Sequence, residues 1–243
     1  MLAVTHSATL IGDKALPVTV EVNAGEKGEV KYALVGLADT VVKESLDRIL
    51  SALSNAGYSK PRTHVTITLA PGDLRKEGAA FDLPIALGIL SATGQMKSEI
   101  LEDYLVAGEL ALSGQTRPVK GGLSMTMLAA EKGIKGVILP LESAEEACLM
   151  ESSKVFAVES LDEAIRFLSG QTEMVPLEAS CSPYLIGPRE DELIDFSEVK
   201  GQANLRRAVE VAVAGARQTT SLALLSAWNL PTPPLTTTRM WIY

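Results

Sequence analysis

Residues 70–90, with the sequence APGDLRKEGAAFDLPIALGIL, have the outline of a turn that presents a reactive side chain. An extended run ends in a glycine-containing turn and an apolar helix follows at once, which is where many serine hydrolases place their nucleophile. This turn offers no nucleophile, because Ala79 and Ala80 stand where a serine would be expected. We therefore predict a structural role for it, in which Gly78 allows the turn, Asp82 caps the helix and residues 83–90 fill the core.

The histidines and cysteines are too few and too scattered for triad or metal chemistry. A serine or cysteine triad needs a histidine base beside the nucleophile. His6 and His64 are the only histidines, and each lies inside a predicted strand, where a structural role is the commoner one. Cys148 and Cys181 are the only cysteines, and they form no CxxC or Cys/His cluster. The sequence predicts neither a zinc site nor a disulfide framework, and this cysteine usage is typical of a reducing cytoplasm.

Two pairs of neighbouring carboxylates are candidates for general acid and base chemistry. Glu145 and Glu146 lie on a predicted helix, while Asp191 and Glu192 lie in a proline-containing irregular stretch. Acid and base roles require environments that separate the pKa values of the two carboxyl groups, and neither pair has a predicted pocket around it. We interpret both pairs as solvated surface residues.

A phosphate-binding loop is also missing from the sequence. The pattern G-x-x-x-x-G-K-[ST], whose backbone N–H groups and lysine cradle phosphate oxygens, occurs nowhere in the 243 residues. The nearest imitation is GQTRPVKGG at residues 114–122, where Lys120 precedes its glycine pair. We interpret that stretch as a connection between a strand and a helix.

Composition limits the class of protein. The chain has 243 residues, 47% of them hydrophobic, and a formal net charge of −8. Its length suits one large domain, or one domain with a fragment of another. The negative charge argues against general affinity for nucleic acid, which depends on Lys and Arg displacing counterions. No signal peptide and no apolar run of membrane-spanning length are recognisable. We expect a cytoplasmic protein without a membrane contact.

The first forty residues alternate between apolar and polar side chains and predict a meander of strands. The helix that follows begins at Asp39 or Thr40, either of which can cap it, and ends at Gly57. Its charged face offers two i,i+4 pairs that we expect to face solvent. These are Lys43 with Asp47, and Glu44 with Arg48.

The rest of the first part of the chain alternates strands and helices. THVTITLA predicts a strand before the turn, and YLVAGELALSGQTRPV predicts two extended runs joined at Ser113 and Gly114. A helix stopped by Gly133 follows, and then strand GVILP, helix SAEEACLM, strand KVFAV and helix LDEAIRFLSG. This order predicts an α+β fold, with a mixed sheet and helices mainly on one face. The predicted divisions are a domain at 1–170, a linker at 171–193, a further segment at 194–216 and a disordered tail at 217–243.

Four of these stretches together resemble a known family. VGLADTVVKESLDRILSALSNAGY, LAPGDLRKEGAAFDLPIALGIL and GELALSGQTRPVKGG are similar to the N-terminal domain of ComM/YifB-type proteins, which are Mg-chelatase-related AAA+ ATPases. DFSEVKGQANLRRAVEVAVAGA, within 194–216, resembles the entry to the AAA+ ATPase module of that family. The resemblance implies an ATP- and Mg²⁺-dependent parent family that forms hexamers, and at least one branch of it acts on DNA during natural transformation.

The chain departs from the family where the ATPase module would continue. In the family a Walker A loop follows this entry, whereas here the sequence reads RQTTSLALLSAW. We therefore expect no ATP or Mg²⁺ on this chain, and we interpret it as a truncated or degenerate family member. Val199 and Gly201 are the candidates for a remnant of the adenine side of the site, because the equivalent family segment lies beside the adenine.

The first domain also resembles the proteolytic domain of Lon-type proteases. That resemblance implies a Lon-protease-like, ribosomal-protein-type β-α-β fold. The Lon-type serine loop, roughly K-D-G-P-S-A-G, matches KEGAAFD and puts Ala80 at the serine position. The Lon-type lysine, in a G-G-L-K pattern, matches Ser124. A Ser-Lys dyad requires both members, so the resemblance implies that peptidase activity is absent.

Two functional hypotheses follow. The first is a non-catalytic N-terminal module of a ComM/YifB-like AAA+ protein, whose partners are further copies of the chain or other family subunits. The alternative is an ATP-dependent AAA+ motor subunit, acting on DNA in competence or recombination, whose nucleotide-binding part is missing from this chain. DNA enters as a partner only by analogy with the family.

Overall fold

A long antiparallel hairpin begins the chain. The computed structural model describes residues 1–27, 30–36, 39–76, 78–149 and 153–178, together with Arg207 and Val211. Leu2 pairs with Asn23 at one end of the hairpin and Ile11 with Lys14 at the other. Gly12 in the turn has a φ of +64°, which a glycine adopts without steric cost.

Among the described residues up to 178, the chain forms nine strands and five α-helices, and a 3₁₀ turn at Leu101–Asp103. Every sequence stretch that was predicted as a helix or strand up to residue 170 forms one. In chain order they are β1 (Leu2–Ile11), β2 (Lys14–Lys27), β3 (Lys31–Val35), α1 (Thr40–Asn55), β4 (Thr63–Ala70), α2 (Asp82–Ala92), β5 (Tyr104–Val106), β6 (Glu109–Leu110), β7 (Thr116–Arg117), α3 (Gly122–Lys132), β8 (Gly136–Pro140), α4 (Leu141–Ala147), β9 (Lys154–Val158) and α5 (Leu161–Leu168).

Seven of these strands form one mixed sheet in the order β3-β4-β2-β1-β5-β8-β9. β1 pairs with β2 and β2 with β4 in the antiparallel sense, while the other four ladders are parallel. The prediction of a meander is wrong for β3, which pairs with β4 and not with β2. The reason is that α1 connects β3 to β4 as a crossover, and a crossover joins parallel strands.

Helices cover both faces of the sheet, so the prediction that they lie mainly on one face is wrong. Side chains of a strand alternate between faces, and in β8 Ile138 belongs to the core on one face while Val137 and Leu139 belong to the core on the other. The first core contains buried residues of α1, α2 and α5. The second contains those of α3 and α4. The fold is therefore a mostly parallel mixed sheet between two helical layers.

The glycines and the buried helix behave as predicted. Every residue of α2 except Ser91 is buried, in agreement with its apolar character on all sides. Gly133 ends α3 with a φ of +67°, and Gly114 turns the chain between β6 and β7 with a φ of +89°. Gly78 has a φ of +80°, so the turn before α2 does depend on glycine.

The predicted divisions after residue 170 stay predictions. After α5 the described chain continues to residue 178, and the Leu177 N–H donates to the Val155 carbonyl of β9 at 2.7 Å. The remaining part of the predicted linker, the tail, and the predicted AAA+ segment apart from Arg207 and Val211 lie outside the described residues. Among the residues that the structure describes, no helix is long and apolar enough to cross a membrane.

Candidate functional site

The loop between β4 and α2 carries Ala80, the residue at the predicted nucleophile position. The Ala80 carbonyl accepts a hydrogen bond of 2.9 Å from the Gly108 N–H, and the Gly108 carbonyl accepts one of 3.0 Å from the Leu83 N–H. These two bonds join the loop and the first turn of α2 to the segment that follows β5. The two bonds anchor the loop at Ala80, and the methyl group of Ala80 supplies no reactive atom.

Ser124, the residue at the predicted lysine position, lies in the first turn of α3. Its hydroxyl donates a 2.6 Å hydrogen bond to the carbonyl of Asp13 in the turn between β1 and β2. α2 and α3 belong to the cores on opposite faces of the sheet, so the helices after Ala80 and around Ser124 lie on different layers. A hydroxyl held in this way cannot take the place of a neutral amine as the base for a serine.

A buried lysine, Lys76, forms a hydrogen bond within the same loop. The Lys76 side chain is fully buried, and its ammonium group donates to the carbonyl of Pro71. Burial lowers the pKa of Lys76 and the nearby Asp73 carboxylate partly opposes that change. The sequence analysis did not find this residue, because lysine is almost never fully buried and the neighbouring residues carry no pattern that marks it.

Asp39 holds the far end of the loop against α1. One oxygen of its carboxylate accepts the Val42 N–H at 2.8 Å, which confirms the predicted cap of α1. The other oxygen accepts the Gly78 N–H at 3.3 Å. The Asp39 N–H donates in turn to the Lys76 carbonyl at 3.1 Å. The start of α1 and the loop are therefore joined by bonds in both directions.

Asp82 does not cap α2, in contrast to the prediction. The N-cap position is Phe81, which makes no side-chain capping bond, and Asp82 is the first residue of the helix. The Asp82 carboxylate is fully buried and faces Arg48 of α1 instead. It accepts bonds of 2.6 Å from Nε and 3.0 Å from Nη2 of Arg48, and one of 3.1 Å from the N–H of Leu110. Arg48 thus reaches Asp82, where the sequence predicted a pair with Glu44.

The electrostatics of this pair follow from its burial. Burial raises the pKa of Asp82, and the Arg48 guanidinium and the Leu110 N–H oppose the rise. The hydrogen bond to Asp82 raises the pKa of Arg48, against the effect of its own partial burial. The Glu109 carboxylate adds to the rise in both pKa values. Sequence spacing could not reveal the pair, because its members lie 34 residues apart.

The other predicted groups are dispersed. His6 lies in β1 and His64 in β4, and β2 separates these strands. His6 lines a cavity of about 450 Å³, whose lining also contains acidic residues such as Glu102 and basic residues such as Lys132. In the described part of the chain no group of three or more His, Cys, Asp or Glu side chains is placed to hold a metal ion. Cys148 is buried, and burial raises the pKa of its thiol.

Several candidates of the sequence analysis lie on the surface or outside the described residues. Lys120 is exposed, and so is Glu145 at the start of its carboxylate pair on α4. Asp191, Glu192, Val199 and Gly201 lie outside the described residues. The described site is therefore the β4–α2 loop with its three anchors, Lys76, Asp39 and Asp82. The Asp39 N–H is bonded to the Lys76 carbonyl, while the Asp82 carboxylate is bonded to Arg48 and to the Leu110 N–H.

Comparison with known proteins shows where this arrangement belongs. Residues 20–143 match the family model described as subunit ChlI of Mg-chelatase. Competence protein ComM of Haemophilus influenzae is 36% identical over 214 residues, which make up 88% of this chain and 42% of that protein. YifB of Salmonella typhimurium, described as uncharacterized, is 37% identical over 214 residues, or 88% of this chain and 41% of that protein.

A relative of lower sequence identity is a Lon protease. Lon protease 3 of Sorangium cellulosum is 29% identical over 180 residues, which make up 68% of this chain and 20% of that protein. The chain spans only about two-fifths of the length of the ComM and YifB relatives that it matches. The family model nevertheless covers more than half of this chain, and the ComM and YifB matches extend over most of it. The protein therefore belongs to the Mg-chelatase ChlI family, in its ComM/YifB-type group.

Proposed function

We propose that this chain is a non-catalytic N-terminal module of a ComM/YifB-type AAA+ protein. The observation that carries the proposal is Ala80, which stands at the nucleophile position with its carbonyl bonded to the Gly108 N–H. A loop that is anchored on both sides and lacks a nucleophile supports a structural role. The module would act by packing against further copies of itself or against other subunits of the family.

The proposed fold is that of the Lon-type proteolytic domain without its dyad. The match to Lon protease 3 over 68% of the chain supports this relationship. The serine loop and the lysine pattern occur in the Lon-type order, with Ala80 and Ser124 at the two reactive positions. Ser124 is bonded to the Asp13 carbonyl, so neither position retains the atoms that acyl transfer needs.

We further propose that ATP and Mg²⁺ do not bind to this chain. The 243 residues contain no phosphate-binding loop, and adenine packing without phosphate contacts gives little affinity. Nucleotide chemistry would then belong to the parts of the longer relatives that this chain does not cover. The proposed location is the cytoplasm.

Binding of a fluorescent ATP analogue, with and without Mg²⁺, tests the nucleotide part of this proposal. We expect no saturable, Mg²⁺-dependent signal from the purified chain, and a matched AAA+ ATPase serves as the positive control.

Labelling with a fluorophosphonate tests the peptidase part. We expect no labelled serine, and a modified residue in the β4–α2 loop would contradict the assignment of Ala80.

A second candidate is an ATP-dependent motor subunit that acts on DNA. The name of the Haemophilus influenzae relative, competence protein, favours this candidate. The net charge of −8 opposes direct DNA binding by this chain, so its contribution would be to an assembly. Tight Mg²⁺-dependent ATP binding would support the motor and contradict the non-catalytic module.

A further inference from the structure

The hairpin at residues 107–117, named the connector hairpin here, consists of β6, β7 and the turn between them. Its two strands pair through only two residue pairs, Glu109 with Arg117 and Leu110 with Thr116. A two-stranded ribbon of this size is not stable by itself in water. Its position must therefore come from the elements on either side of it.

On one side the connector hairpin is bonded to α1 and α2. The main-chain bonds of Gly108 to Ala80 and Leu83 hold its beginning. The Leu110 N–H donates to the Asp82 carboxylate at 3.1 Å. The side-chain amide of Asn55, at the end of α1, donates to the Leu112 carbonyl at 2.5 Å.

On the other side the connector hairpin is bonded to the end of β9 and the start of α5. The Leu161 N–H donates to the Gly114 carbonyl at 2.9 Å, and the Thr116 N–H donates to the Glu159 carbonyl at 2.9 Å. The Thr116 hydroxyl donates to the Val158 carbonyl at 2.7 Å. The hairpin thus joins α1 and α2 to the end of β9 and the start of α5.

Asp82 differs from the other anchors of the connector hairpin. The bonds of Gly108, Asn55, Gly114 and Thr116 described above join neutral groups. The Leu110 N–H, in contrast, donates to a fully buried carboxylate. Hydrogen bonds to a charged group contribute more than neutral ones, and an orphaned buried N–H is costly. The Leu110 side chain is itself fully buried in the first core, so its N–H cannot turn to water without moving the strand.

We propose that Asp82 is the positioning residue of the connector hairpin, and that the hairpin opens locally as one unit when the Asp82 carboxylate is lost. Arg48 holds the carboxylate from the other side at 2.6 Å, so α1, α2 and β6 meet at a single charged group. This role of Asp82 rests on the geometry of the domain and does not depend on the proposed function.

Hydrogen exchange measured by mass spectrometry on the whole chain tests this inference. In Asp82→Leu, which removes both the charge and the acceptor, we expect amides of residues 107–117 to exchange on the order of 10-fold faster, because local opening follows the loss of anchoring bonds. Amides of β4 and β8 exchange through global unfolding, so their rates should rise only with the loss of global stability and should stay below those of the hairpin. Glu109→Gln is the control for charge, because it removes the pair with Arg117 and the Glu109 charge near Asp82 but keeps the bond from the Leu110 N–H to the Asp82 carboxylate. Its hairpin rates should rise less than those of Asp82→Leu.

A second variant keeps the test decisive if Asp82→Leu does not fold. Asp82→Asn keeps an oxygen that can accept the Leu110 N–H, so we expect a smaller acceleration in the same residues. Wild-type exchange of the connector hairpin in Asp82→Asn would overturn the proposal. Exchange of the hairpin amides with the same free energy and the same urea dependence as those of β4 and β8 would also overturn it, because the hairpin would then open only when the whole domain unfolds.

Discussion

Arg48 of α1 and Asp82 of α2 form a two-point ion pair, with Nε and Nη2 of the arginine 2.6 and 3.0 Å from the two carboxylate oxygens. The carboxylate is fully buried, while the arginine side chain is 23% exposed. The pair therefore differs from an ordinary surface ion pair, because the charge on Asp82 cannot be hydrated when its partner is removed.

Replacing Arg48 tests this difference. We expect Arg48→Met to lower the free energy of unfolding by about 3 kcal/mol, because it leaves a buried carboxylate without its counterion. The matched control is Lys135→Met, which breaks the Lys135–Asp103 pair of the same 2.6 Å distance on the surface. That change should cost much less than Arg48→Met, because both charges of the surface pair remain hydrated when it is broken. Urea denaturation of the two variants measures both values, and equal losses would contradict the argument.

The lowered pKa of Lys76 predicts that the stability of the protein depends on pH in the alkaline range. Burial lowers the pKa of Lys76 in the folded protein below the ordinary value of 10.5, so the unfolded chain binds more protons between the two pKa values. The stability contribution of Lys76 must then rise with pH through that window and stay constant below it. We expect Lys76→Met to lack this rise, so the difference in stability between wild type and variant should increase with pH through the window. Unfolding curves from neutral pH to about 10.5 check it, and a difference that falls with pH would contradict the buried position.

Restoring the serine should not restore a peptidase. In Ala80→Ser the new hydroxyl would lack a base, because Ser124 supplies a hydroxyl bonded to Asp13 and not an amine. We expect the variant to resist fluorophosphonate labelling and to leave casein intact, and we expect the same of the wild type. A Lon-type protease under the same conditions is the positive control. Labelling of the introduced hydroxyl in this variant would show that another base reaches the loop.

Gly121 and Gly133 form a matched pair at the two ends of α3. Both have a positive φ, +80° and +67°. A Cβ atom on Gly121 would lie 2.6 Å from Leu10, whereas a Cβ on Gly133 would meet nothing within 4 Å. We expect Gly133→Ala to cost about 1 kcal/mol from the backbone conformation alone. Gly121→Ala should cost about 2–4 kcal/mol because overpacking is added. Equal losses in thermal or urea unfolding would show that Leu10 moves aside freely.

The local features of this domain could be predicted from the sequence. The helices and strands up to residue 170, the cap by Asp39 and the glycine turns at Gly78, Gly114 and Gly133 all follow from short-range rules. Short-range rules succeed here because periodicity, capping and positive φ depend on residues within a few positions of one another. The family resemblance, which also rests on contiguous stretches, agrees with the ComM and YifB relatives.

The sequence by itself determined the elements, their order, the family and the absence of a serine at Ala80. Only the tertiary structure decided the pairing of β3 with β4, the placement of helices on both faces, and the environments of Lys76 and Asp82. Each of these depends on contacts between distant parts of the chain. A carboxylate at the start of a helix is a good cap in isolation, but in this fold burial against Arg48 and Leu110 engages it elsewhere. Long-range packing therefore assigned Asp82 its role, and no local pattern contains that information.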